Sequence, residues 1–257
     1  MTGPALVWMA LDQGRDFASA AAVGAVLAGA ACAVFALTYA RASLALARWP
    51  TLAVASVASL PPLGLLWLPQ WLHVTPALHT PHAVLALAFC VVAAVCLTCL
   101  MCLQALPQVQ QVAMPSADQM TAGVAARSGL TTITVAGAVS ALTALLAPHV
   151  SPTVAGTLAS LPLLAAAVVW ELHRQPGCAP VLVFLRGYTT GLVGRCGYAA
   201  AFSALLPTGL MQAVAAGCVV VLVLGWLTAR WKIFAPVRPA QAQQLSDAAH
   251  ARPAPAP

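Results

Sequence analysis

The chain has 257 residues, of which 61% are hydrophobic and only 6% carry a formal charge. Soluble domains have about 25% charged residues, so this composition excludes an ordinary soluble protein. It predicts an all-α integral membrane protein. The net charge of +6 comes from basic residues that lie mostly between apolar segments. Since no basic and aromatic run accompanies them, nucleic-acid binding is not expected.

Apolar stretches of about 20 residues, the length that crosses a bilayer, recur along the chain. They predict about seven transmembrane helices. The segments are 19–40, 51–71, 82–105, 126–147, 152–172, 181–206 and 208–230. We divide the chain into an N-terminal segment (1–18), a first membrane repeat (19–105), a polar connector (106–125), a second repeat (126–206), a seventh helix (208–230) and a disordered tail (236–257).

A four-residue motif occurs once in each predicted repeat. Ala58-Ser59-Leu60-Pro61 recurs as Ala159-Ser160-Leu161-Pro162, 101 residues further on, and each copy lies inside a predicted span. Because the chain crosses three times from one copy to the next, the second copy is inverted. We therefore predict a 3+3 inverted repeat with one extra helix, an architecture typical of small transporters with interrupted helices. The serine and proline of each copy are candidate substrate-binding residues.

Arg195 lies deep within the span 181–206. At about 1.5 Å per residue it is roughly 22 Å from Pro180 and roughly 18 Å from Pro207. A central arginine is costly in lipid, so we expect it to face the bundle interior or a wet cavity. No acidic residue lies mid-span; the expected partners are the carbonyls of Val57 and Leu158, which the prolines leave free. Such a cation favours an anionic solute or lipid headgroup, and a structural tie between helices is the alternative.

Arg186 lies closer to the inner end of the same span, about 9 Å from Pro180. Its side chain can extend to the membrane interface. Glu171 and His173, near the end of the span 152–172, are its expected partners. Arg186, Arg195 and Glu171 therefore join the candidate substrate-binding residues.

Three glycines, Gly187, Gly191 and Gly194, share one face of this span. Small residues at this spacing allow neighbouring helices to approach closely, so close packing is the preferred interpretation. A substrate passage along the glycines is the alternative.

Cysteines and histidines cluster around the span 82–105. His79 and His82 lie at its outer end, and Cys96 and Cys99 lie further along. These residue types are ligands of soft and borderline metals. Buried cysteines that serve packing are the preferred interpretation. We therefore predict neither a metal site nor a cofactor, and soft-metal handling is an alternative function.

Basic residues in the loops and at the ends of the spans concentrate on one side of the alternating topology. They are Arg41, Arg48, Arg127, Arg174, Arg230, Lys232, Arg238 and Arg252. Cytoplasmic loops hold the excess of Lys and Arg, so the N-terminus is expected outside and the C-terminus in the cytoplasm. The expected location is a bacterial inner membrane. Trp49, Trp170 and Trp226 then fall at the inner interface, as in an aromatic belt.

The second half of the chain, 147–202, resembles a family of uncharacterised bacterial multi-pass inner-membrane proteins. The matching residues are Ser151-Pro152, Gly156, Leu161-Pro162, His173-Arg174-Gln175, Gly177, Leu185-Arg186-Gly187, Gly191 and Phe202. The resemblance implies a helical membrane protein and carries no known function. Arg186 belongs to the shared pattern, whereas Arg195 departs from it.

These features favour a small transporter or permease-like protein for an anionic or amphipathic solute. The alternative is a non-transporting assembly factor or subunit of a membrane complex. No enzyme is expected, because the chain has no nucleophile elbow, zinc-protease motif or phosphate-binding loop. The expected partners are the lipid bilayer, a small-molecule substrate, and a second copy or a membrane complex partner.

Overall fold

A computed structural model describes residues 2–67, 81–106, 134, 137–138, 141–142, 145–174 and 178–230. Within these residues the secondary structure is helical and no strand occurs. The α-helices are α1 (Thr2–Asp12), α2 (Arg15–Ala42), α3 (Arg48–Ala58), α4 (Pro81–Gln104), α5 (Pro152–Leu158), α6 (Leu163–Leu172), α7 (Ala179–Leu205) and α8 (Leu210–Arg230). Two 3-10 helices occupy Pro61–Trp67 and Ala147–His149.

Among the described residues, four helical segments are long and apolar enough to cross a membrane. They are Arg15–Ala42, Leu85–Gln104, Pro152–Leu172 and Leu210–Thr228, which coincide with four of the predicted spans. Helix α7 has 27 residues but is not among the four, because Arg186 and Arg195 make it less apolar. Most of the span 126–147, nearly all of the connector and the whole tail lie outside the described residues.

Helix α2 lies at the centre of the bundle and contacts α1, α3, α4, α5, α7 and the 3-10 helix Pro61–Trp67. Its alanine-rich sequence allows this, because small side chains let other helices approach closely. The closest approach is to α5, where Gly24 faces the backbone of Thr153 and Gly156 faces the carbonyl of Ala21. The Thr157 hydroxyl donates to the carbonyl of Gly24 at 3.3 Å and so adds a polar tie at this crossing.

Contacts between distant residues define the two ends of the bundle. At one end, where α2 begins and α7 finishes, the hydroxyls of Ser19 and Ser203 are 2.9 Å apart. At the other, the thiol of Cys178 donates to the carbonyl of Ser43 at 3.0 Å. Helices α2 and α6 finish at this second end, and α3 and α7 begin there.

The N-terminal segment contains a helix that the sequence analysis did not predict. Helix α1 packs on α2 and also contacts α7 and α8. Leu6 and Met9 are fully buried in the main hydrophobic core. A turn at Gly14, with φ of 93°, reverses the chain into α2. Residues 2–12 are therefore part of the bundle.

Both copies of the repeated motif coincide with the end of an α-helix. Helix α3 ends at Ala58, and a 3-10 helix follows from Pro61. Helix α5 ends at Leu158, and α6 begins at Leu163. Proline explains each interruption, because it has no backbone N–H to continue the ladder. The inverted relation between the copies stays a prediction.

Candidate functional site

Arg195 reaches from the middle of α7 to the break between α5 and α6. Its Nη1 donates to the carbonyl of Ser160 at 3.2 Å, and its Nη2 donates to the sulfur of Cys32 on α2 at 3.3 Å. The Cys32 thiol donates to the same Ser160 carbonyl at 3.2 Å. Three segments of the fold therefore converge on one guanidinium group.

The third nitrogen of this guanidinium has no partner among the residues that the structure describes. Nε of Arg195 is buried from solvent and makes no hydrogen bond there. A buried polar group without a partner is rare in native proteins, because it loses its hydration without compensation. The orphaned Nε–H is therefore a donor that a bound acceptor can satisfy.

The positive charge of Arg195 meets only neutral acceptors. Within the described part of the chain, the one ion pair joins Glu171 to Arg174 at 3.3 Å. An arginine keeps its charge at all physiological pH values. The break between α5 and α6 is therefore a cationic spot inside an apolar bundle, and it favours a negatively charged ligand.

Helix α1 closes one side of this spot. The hydroxyl of Thr2 is 3.5 Å from that of Ser160, and both residues are buried. Gly3 lies against the ring of Tyr198, so that a Cβ there would be 3.3 Å from the ring. Sequence reasoning missed this contact because it assigned no structure to residues 1–18.

The sequence correctly indicated a backbone carbonyl as the partner of Arg195, but it indicated the wrong residues. The carbonyl of Leu158 accepts from the N–H of Leu161, and that of Val57 accepts from the N–H of Leu60. These short-range bonds satisfy the groups that the prolines were expected to leave free. The acceptor is instead the backbone carbonyl of Ser160, inside the turn itself.

The first copy of the motif is not connected to Arg195. The Ser59 hydroxyl donates to the carbonyl of Ser56 at 2.7 Å, within its own turn. Pro61 begins the 3-10 helix that packs on α2. Of the four candidate residues in the two copies, the structure brings Ser160 into contact with Arg195, and Pro162 immediately precedes α6.

Arg186 has a different partner from the one predicted. Its Nε and Nη2 donate to the carbonyl of Leu103 at 3.3 Å and 3.2 Å, at the last turn of α4. Glu171 pairs instead with Arg174. A positive side chain near the C-terminal carbonyls of a helix is stabilising, so Arg186 serves as a tie between α7 and α4.

The glycines of α7 do not share one role. Within the described residues nothing lies within 4 Å of a Cβ built at Gly187 or Gly191. Gly194 has a single such neighbour, Val221, at 3.9 Å. Gly197 is the closely packed position, since a Cβ there would be 2.6 Å from Leu224. The close packing predicted for Gly187 and Gly191 is therefore absent from this part of the structure.

The two cysteines that the sequence analysis singled out, Cys96 and Cys99, lie in the packed interior. Cys96 is 1% exposed and faces the carbonyl of Gly29 at 3.9 Å, and Cys99 is also buried. No group of three metal-ligating side chains occurs in the described residues. His79 and the side chain of His82 lie outside them, so their metal-binding role stays untested.

Comparison with known proteins finds no matching family model, curated protein or solved structure. The fold and the site therefore define the class. In the part of the chain that the structure describes, it is a helical protein with four helical segments long and apolar enough to span a membrane. A partly buried arginine lies at a break between two of its helices.

Proposed function

We propose that this chain is a multi-pass membrane transporter or permease-like protein for an anionic or amphipathic solute. The observation that carries the proposal is Arg195, a partly buried guanidinium held at the break between α5 and α6 without an acidic partner among the described residues. Charged groups within the membrane are costly and commonly mark the path of a substrate or ion.

The geometry supplies a plausible sequence of contacts for an anion. The Ser160 carbonyl and the Cys32 sulfur hold the two terminal nitrogens, while Nε–H has no acceptor among the described residues. An arriving anion takes the Nε–H first and then competes with the Ser160 carbonyl for Nη1. The bond to the carbonyl is already charge-assisted, but an anion adds the attraction between opposite charges, so the exchange favours the anion.

The break gives the site a way to move. Residues 159–162 join two short helices instead of continuing one, so α6 can tilt relative to α5 without breaking a regular hydrogen-bond ladder. Interrupted helices at the substrate site are a recurring feature of secondary transporters. Helix α1 covers the site from the end at which α2 begins, and it must shift for a solute to enter from there.

The arrangement of charge is consistent with insertion into a bacterial inner membrane with the C-terminus in the cytoplasm. Arg41, Arg48 and Arg174 lie at the bundle end where α2 and α6 finish, and α8 ends in Arg230. Basic residues are retained on the cytoplasmic side. The resemblance to uncharacterised bacterial multi-pass proteins stays a prediction and assigns no substrate.

Uptake into proteoliposomes tests the proposal. We expect wild-type protein to carry at least one member of a panel of small carboxylates, phosphate, sulfate and halides. Arg195→Gln should abolish that flux, whereas Arg230→Gln, which changes an exposed arginine at the end of α8, should retain it. Wild-type flux equal to that of empty vesicles across the panel would overturn the proposal. Co-purification of a stoichiometric partner would then favour a subunit of a membrane complex.

A further inference from the structure

A second cluster of basic and aromatic side chains lies far from Arg195, at the end of the bundle where α2 finishes and α3 begins. The Cζ of Arg48 lies 5.2 Å from the ring centroid of Trp170. The ring of Trp49 lies 4.5 Å from that of Trp170, centroid to centroid. We call Arg48, Trp49 and Trp170 the Arg48 cluster. A cation–π contact of this kind restrains the guanidinium without using its N–H groups.

This end of the bundle has an excess of positive charge. Arg41 is exposed and Arg48 is partly exposed, and neither forms an ion pair within the described residues. Glu171, at the end of α6, is already paired with Arg174. The N–H groups of Arg48 therefore have no carboxylate acceptor from these residues, and an external anion can supply one.

His173 borders the cluster, and its pKa responds to the charge of Arg48. Its Nδ1 is 3.1 Å from the hydroxyl of Tyr39. Burial lowers the pKa of His173, and the positive charge of Arg48 lowers it further. The imidazole is therefore neutral at pH 7. Because an anion bound to Arg48 would offset that charge, the pKa of His173 reports on occupancy.

The surroundings of the cluster are apolar as well as basic. Trp49 is 71% exposed, and Leu46, in the loop before α3, is 41% exposed. Exposed tryptophan is typical of the headgroup level of a bilayer, where an amphipathic ring meets both lipid and water. A free inorganic anion would leave this apolar rim uncovered, whereas a lipid supplies a phosphate and an acyl chain together.

We propose that the Arg48 cluster is a binding site for the phosphate headgroup of an anionic phospholipid. The planar fork of arginine matches two phosphate oxygens, and the tryptophans pack beside the glycerol and upper acyl chain. The site does not depend on transport, since it uses none of the residues around Arg195. A protein inactive in every flux assay can still bind lipid here.

Thermal unfolding of the full chain in detergent tests the site, with short-chain phosphatidylglycerol or phosphatidylcholine added. We expect phosphatidylglycerol to raise Tm and phosphatidylcholine to leave it unchanged. Arg48→Gln should weaken the apparent affinity for phosphatidylglycerol about tenfold, the typical loss for a charge-assisted hydrogen bond. Arg48→Lys should retain only part of the affinity, because lysine keeps the charge and loses the planar fork.

Arg230 provides a matched control. Its Cζ lies 5.3 Å from the ring centroid of Trp226, a stack similar to that of Arg48. Arg230→Gln removes the same charge and should leave the response to phosphatidylglycerol intact. Equal losses in Arg48→Gln and Arg230→Gln would show a general effect of net charge and would overturn the site. Inorganic phosphate that stabilises the protein as well as the lipid does, through Arg48, would overturn the lipid assignment.

A second measurement uses the wild-type protein and therefore does not depend on the folding of a variant. The pKa of His173, followed by NMR in nanodiscs, should be higher in phosphatidylglycerol than in phosphatidylcholine. Equal responses of Tm, or equal His173 pKa values in the two lipids, would contradict the proposal.

Discussion

Replacing Arg195 with leucine separates a binding role from a structural one. The change removes a cation that costs about 2.5–3.5 kcal/mol at the centre of a membrane helix. It also removes two hydrogen bonds, of which the one to the Ser160 carbonyl is worth about 1.5–3 kcal/mol and the one to sulfur less. No carboxylate is left unpaired within the described residues, and the Cys32 thiol still donates to Ser160. We therefore expect a net change within about 1 kcal/mol.

Equilibrium unfolding in mixed micelles, followed by circular dichroism, measures this difference. Leu192→Ala on the same helix is a control for sensitivity, because Leu192 is 2% exposed and its truncation should cost about 2–5 kcal/mol. A loss of about 3 kcal/mol or more in Arg195→Leu would refute the reasoning. It would identify Arg195 as a structural tie between α2, α7 and the break.

Three further predictions follow from individual contacts. Gly156→Ala should lower stability by about 1–3 kcal/mol, because its Cβ would overlap a backbone carbonyl of α2, whereas Gly191→Ala should be nearly neutral; thermal unfolding checks both. Thr2→Cys combined with Ser160→Cys should form a disulfide under mild oxidation, detected by peptide mass spectrometry, and no cross-link would contradict the position of α1. The pKa of His173 is lowered on folding, so the folded state loses stability as pH falls below the ordinary value of 6.5. His173→Gln should remove that part of the pH dependence in thermal unfolding, and an unchanged profile would contradict it.

The lengths of the apolar segments correctly predicted the positions of four candidate membrane spans. The spans that became α2, α4, α5–α6 and α8 were visible because each combines about 20 apolar residues with polar or proline boundaries. Helix α1 was missed because 11 residues are too short for that signal, although Leu6 and Met9 are buried against the rest of the bundle. Leu6 and Met9 are three residues apart, a spacing that places both on one face of a helix. This spacing was the sequence feature that could have indicated a buried face.

For Arg195, the sequence predicted the kind of partner and not its identity. Its mid-span position and the absence of a nearby carboxylate indicated a backbone carbonyl, and the structure has that of Ser160. The choice of Leu158 failed because a proline removes one donor, but a 3-10 bond from Leu161 replaces it. Cys32 could not be predicted as a neighbour, because only tertiary packing brings α2 to the break.

The partner of Arg186 also could not be predicted from the sequence. The position of Arg186 within its predicted span placed it at the same membrane depth as Glu171 and His173. Depth alone does not specify which face of α7 Arg186 occupies. In the fold that face meets the end of α4, and the Leu103 carbonyl accepts both hydrogen bonds. Local charge pairing then joins Glu171 to Arg174, three residues away on the chain.

Nitrogen-15 NMR of the Arg195 Nε–H group, in protein reconstituted into nanodiscs, tests the central claim most directly. The resonance is assigned by its loss in Arg195→Gln. Because Nε has no partner among the described residues, we predict a saturable shift of its N–H signal when one of the panel anions is added. Changing the accompanying cation should have no effect. A signal that no anion in the panel moves would contradict an anion site at Arg195.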